Sequence, residues 1–86
     1  MDDPIDRVQL DAEDRAYAGI FRRSGPYGDV PSTHAEIAGD LKGHAPSMVL
    51  IVTTALIKKG RIVQEGGSYF LDTETRARIR AARQGS

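Results

Sequence analysis

The chain has 86 residues, 40% hydrophobic and 28% charged, with no cysteine and a formal net charge of zero. That is room for one domain and one core, burying roughly 60% of its unfolded surface, and it excludes a disulfide framework and a cysteine-based zinc site. No apolar run approaches the ~20 residues of a bilayer span, and the acidic start Met1-Asp2-Asp3-Pro4 is unlike a signal peptide, so the expected location is cytoplasmic.

Charge is unevenly placed. Asp2, Asp3, Asp6, Asp11, Glu13 and Asp14 stand against Arg7 in residues 1–14, a balance of −5 that leaves the rest of the chain at +5. From residue 58 onward Lys58, Lys59, Arg61, Arg76, Arg78, Arg80 and Arg83 outnumber Glu65, Asp72 and Glu74. Such a basic second half either attracts phosphates or forms a solvated face.

Residues 1–10 read as an N-terminal arm in which Ile5, Val8 and Leu10 can pack loosely. A first helix is expected from about Asp11 to Arg23. Asp11 would accept from the free N–H groups of its first turn, Glu13 and Asp14 suit its positive end, and Tyr17, Ile20 and Phe21 form an apolar stripe beside Ala16. Ser24-Gly25-Pro26 stops it, and Tyr27 to Pro31 is a loop with room for a very short strand. The second helix has the clearest start: Thr33-His34-Ala35-Glu36 is a capping box, followed by Ile37, Ala38 and Leu41 on one face and by Gly43 as left-handed terminator.

Pro46 opens a third helix, where its missing N–H costs nothing, and Gly60 ends it after Lys58 and Lys59. Arg61-Ile62-Val63-Gln64 and Ser68-Tyr69-Phe70-Leu71, joined through Glu65-Gly66-Gly67, predict a hairpin with one of Tyr69 and Phe70 in the core. A last helix, about Thr73 to Gln84, has Ile79 as its large apolar residue and Arg76, Arg80 and Arg83 on one face. The order predicts a mostly α fold with a β-hairpin: a winged helix-turn-helix with a three-helix core, a wing and a C-terminal helix. The expected divisions are 1–10 as arm, 11–72 as winged helix-turn-helix domain and 73–86 as C-terminal basic helix and tail.

Three stretches carry a family likeness: Val30 to Ala38, then Ala45-Pro46-Ser47, then Ala55-Leu56-Ile57-Lys58-Lys59-Gly60-Arg61-Ile62. Over about residues 10–71 they resemble the N-terminal DNA-binding domain of the LexA repressor family, with MarR-like regulators as a looser match. The resemblance implies a winged helix whose third helix enters the major groove. The self-cleaving domain of that family, with its Ser and Lys, has no counterpart in these 86 residues, so no autoproteolysis is carried over. The residues after the Ser-Pro start are small or polar base contacts in the family; here they are Ser47, Met48, Val49, Leu50, Ile51 and Val52.

Five consecutive apolar residues, Met48 to Val52, span more than a helical turn and cannot all face one core. With Val49, Val52, Thr53 and Leu56 inward, the outer face carries Ser47, Leu50, Ile51, Thr54 and Lys58. Base reading normally relies on Arg, Lys, Asn or Gln, so these aliphatics either touch thymine methyls or bury against a protein.

Elsewhere the chemistry is sparse. His34 and His44 flank the second helix and read as surface histidines, not metal ligands. No serine has a base at a motif spacing, and Gly66-Gly67 is a turn, not a phosphate loop. No catalytic residue, cofactor or metal is expected, and no enzyme. The leading expectation is a small protein that binds double-stranded DNA, a transcriptional regulator acting as a dimer. Ser47, Ile51, Thr54 and Lys58 would face the groove, while Lys59, Arg61, Arg22, Arg23 and the wing (Glu65 to Ser68) would contact phosphates. The alternative is a winged helix used for protein contact or dimerisation through Met48, Leu50 and Ile51. The basic face of the last helix fits a phosphate contact, a dimer strut or a solvated tail.

Overall fold

A computed structural model describes residues 4–85 of the chain. In order it contains α1 (Pro4–Arg23), α2 (His34–Asp40), α3 (Ser47–Lys58), β1 (Ile62–Glu65), β2 (Ser68–Leu71) and α4 (Thr73–Gln84). The fold is mostly α, with an antiparallel two-stranded hairpin after the third helix and a C-terminal helix beyond it, a winged-helix-like topology. Among the described residues no helix is long and apolar enough to cross a membrane.

The first helix begins earlier than the sequence suggested. Residues 4–10 are its opening turns, not an arm, and Asp11 lies mid-helix, paired with Arg15 instead of capping. A proline is at home in the first helical position, and Pro4 supplies that start. Residues 1–3 of the expected arm lie outside the described residues. The buried stripe of α1 is also different: Ala12, Ala16 and Ile20 face the core, Tyr17 packs at its edge, and Phe21 is exposed. Two alanines at i and i+4 leave room for close approach by α3.

The second helix is capped as the sequence predicts. The Glu36 N–H donates to the Thr33 hydroxyl at 3.1 Å, and the Thr33 N–H donates to Glu36 Oε1 at 2.9 Å. Ile37 and Leu41 are buried, whereas Ala38 is exposed. Seven residues are too few for a helix to persist alone, so α2 depends on those two anchors and on contacts made by its far end.

Pro46 precedes α3 in helical conformation, and Val49, Val52, Thr53 and Leu56 are its buried residues, as the apolar pattern required. The Thr53 hydroxyl satisfies itself by donating to the Val49 carbonyl at 2.9 Å. In the hairpin Ile62 pairs with Leu71 and Gln64 with Tyr69, which puts Ile62, Tyr69 and Leu71 into the core. Gly66 and Gly67 close it with φ of +56° and +81°, the doubly left-handed pair that a tight turn of this hand demands. No strand forms in the loop from Tyr27 to Pro31; a single bridge follows it at Ser32. The Ser32 N–H donates to the Tyr69 carbonyl at 2.8 Å and the Tyr69 N–H to the Ser32 carbonyl at 2.9 Å. That bridge ties the wing to the chain entering α2.

Candidate nucleic-acid interface

The outer face of α3 is open. Ser47, Ile51, Thr54 and Lys58 are all exposed, as expected of residues facing a groove. Leu50 is 67%, Ile51 44% and Ile57 38% exposed. Leu50, Thr54 and Ile57 follow one another at i, i+4 and i+7, so the exposed aliphatics form one ridge. Ile57 was not singled out from the sequence, although its spacing from Leu50 is the signal that places it there. Met48 is half-buried and packs against the core, so it is less open than Leu50 and Ile51, the other two residues of the expected protein contact. The wing tip, Glu65 to Gly67, is exposed as well.

The cations around this face are mostly engaged. Lys58 is exposed and carries no ion pair among the described residues. Its neighbour Lys59 donates to Glu13 Oε1 at 2.6 Å. Glu13 is a buried carboxylate, 2% exposed at its side chain, and it also accepts from Gln9 Nε2 at 3.1 Å. Arg61 lies with its guanidinium 4.0 Å from the centre of the Tyr17 ring and 3.5 Å from Asp14 Oδ1. Lys59 and Arg61, both expected to contact phosphates, are therefore answered by acids of α1. By sequence alone Glu13 and Asp14 look like helix-start residues; the acidic excess of residues 1–14 is the available hint.

Arg22 and Arg23 serve α2 instead. Arg23 forms a two-pronged pair with Asp40, at 2.8 and 2.7 Å, and its Nε donates to the Ser32 hydroxyl at 3.0 Å. The hydrogen bond to Asp40 holds the Arg23 guanidinium above its ordinary pKa, against the opposing effect of burial. Arg22 stands 3.9 Å from the same carboxylate.

The arginine face of α4 is likewise turned onto the protein. Arg80 approaches Asp29 at 3.4 Å, Arg83 donates to the Pro26 carbonyl at 3.0 Å, and Arg76 lies over the Phe70 ring at 5.2 Å. Ile79 packs on Gly28, which has φ of +69° and no space for a side chain. Together these contacts fasten α4 to the loop between α1 and α2 and to β2. Among the described residues no group of three or more His, Cys, Asp or Glu is placed to hold a metal, His34 and His44 included.

Compared with protein families, with characterised proteins and with solved structures, the chain matches none.

Proposed function

We propose that this chain is a small DNA-binding protein that sets α3 into the major groove and lets the wing lie along the backbone, serving transcriptional control. The observation that carries the reading is the uncovered outer face of α3, where Ser47, Ile51, Thr54 and Lys58 stand together beside an exposed hairpin. The resemblance to the LexA family supports the same placement. With two hydroxyls and one lysine among large aliphatics, the face supplies few base-reading groups. Affinity then comes chiefly from phosphates, and selectivity is low.

Fluorescence anisotropy on labelled duplexes across a salt series tests this. If Lys58, Lys59 and Arg61 each reach a phosphate, log K falls against log salt with a slope of about −3. Replacing all three with Ala should flatten the slope and weaken every duplex alike.

A second reading is favoured by Leu50, the most exposed large apolar side chain among the described residues, which with Ile51 and Ile57 makes the same face a protein-contact surface. In that reading no duplex binds even at low salt, and sedimentation shows association that charged substitutions on the ridge abolish.

A further inference from the structure

We infer that Glu13 and Asp14 are built-in competitors of DNA phosphate, holding Lys59 and Arg61 in the free protein and releasing them only to a nucleic-acid backbone. The inference rests on the DNA-binding reading and adds a restraint that α1 imposes on it. Lys59 and Arg61 flank Gly60, between the end of α3 and the start of β1, next to the free Lys58. The three cations thus lie within one four-residue stretch at the root of the wing.

The two acids hold their cations differently. Glu13 has its carboxylate almost wholly withdrawn from water, while the side chain of its partner Lys59 stays 48% exposed. A buried carboxylate costs desolvation that an aliphatic residue in the same place avoids. Core packing by itself thus does not call for Glu13. What its burial achieves is a fixed negative charge whose cation remains at the surface, free to turn outward. Asp14 is the looser of the two: exposed, at 3.5 Å from Arg61, with Tyr17 holding the other side of the guanidinium. Each carboxylate offers these cations the kind of charge-assisted hydrogen bond that a phosphate oxygen offers. A cation that leaves Glu13 for DNA leaves a buried charge behind with Gln9 alone, so the restraint falls mainly on Lys59 and less on Arg61.

A double-mutant cycle on the full chain decides the matter. Glu13→Gln with Asp14→Asn should tighten duplex binding by about fivefold or more, because phosphate no longer displaces an acid. The gain should vanish when Lys59 and Arg61 are replaced by Ala in the same protein. Asp11→Asn with Glu74→Gln changes the net charge equally, at two exposed pairs that hold Arg15 and Arg78, and should give a markedly smaller gain. Asp14→Asn alone, at an exposed position, should show a fraction of the effect with the fold intact, and it carries the test if Glu13→Gln unfolds the protein. An equal gain from the control, or a gain that survives without Lys59 and Arg61, overturns the restraint. Wild-type binding with no gain overturns it while leaving DNA binding in place. No binding by any variant at low salt rejects both.

Discussion

Among the described residues the first helix makes two sets of ion pairs to other elements, one at its C-terminus and one at its middle, and they are built on different terms. Near its C-terminus Arg23 and Asp40 are both withdrawn from water, 20% and 10% exposed at their side chains, and they meet through two parallel hydrogen bonds. Gly19 makes that approach possible, because a Cβ there would overlap the Asp40 carboxylate. Further along, Glu13 is buried but its lysine is wet, and Asp14 with Arg61 lies at the surface. A pair that loses water on both sides and closes through a planar fork fixes architecture. A pair that keeps its cation in water holds a charge without committing it.

The largest expected effect lies at the fixed pair. Asp40→Ala removes the two-pronged partner of the Arg23 guanidinium, leaving it Ser32 and Glu36, and should cost about 2–4 kcal/mol in urea unfolding. Gly19→Ala should cost about 1–3 kcal/mol by crowding the same carboxylate, although alanine is ordinarily the better helix residue by about 1 kcal/mol. Combining the two removes the clash, so the double variant should be less destabilised than the sum. Strict additivity would show that Gly19 is not where Asp40 gains its access.

A smaller effect sits at the opposite end of α2. Thr33→Ala should lower stability by about 1 kcal/mol through loss of the cap. The hydrogen bond from the Thr33 N–H, assisted by Arg23, holds the Glu36 carboxyl below its ordinary pKa of 4.5. An acid depressed in the folded state adds stability that is present above its unfolded pKa and lost as pH falls through the folded value. Stability should thus decline on acidification below about pH 4.5, and Glu36→Gln should flatten that decline in urea melts taken at stepped pH. An identical acid limb in both proteins would remove Glu36 from the account. Smaller still, Asp14→Asn should change stability by less than about 0.5 kcal/mol, as surface pairs do.

These contrasts also mark what the sequence could and could not tell. The capping box, the Gly66-Gly67 turn and the inward set of α3 are local patterns, and each stands where its chemistry put it. The sequence hides the start of α1 because Asp11, Glu13 and Asp14 imitate a helix start within it, and it hides the buried stripe because alanine is a weak hydrophobic signal beside Tyr17 and Phe21. The pairs were out of reach for another reason. Lys59 and Glu13 are 46 residues apart and Arg23 and Asp40 are 17 apart, and long-range partnership leaves no periodicity to read. The charge imbalance between the first residues and the rest was visible. That the acids of one part face the cations of the other became visible only in three dimensions.

The smallest expected change in stability carries the sharpest functional meaning. Leu50 and Ile51 lie on the open side of α3, while Val49, Val52 and Leu56 hold the core, so Leu50→Glu with Ile51→Glu removes little buried apolar area. Surface substitutions of this kind fall within about 0.5 kcal/mol of neutral, and the circular dichroism melt should be nearly that of the parent protein. A large loss of stability would instead place these side chains in the core and redraw the face of α3. If α3 enters the groove, two new carboxylates on its face repel the nearby phosphates, so duplex binding should fall steeply while the fold persists. The same variant also discriminates the second reading: if the parent protein associates with itself and the charged variant sediments as a monomer, with no duplex bound by either, the ridge serves protein contact. Wild-type affinity for DNA in the charged variant would leave α3 outside the groove altogether.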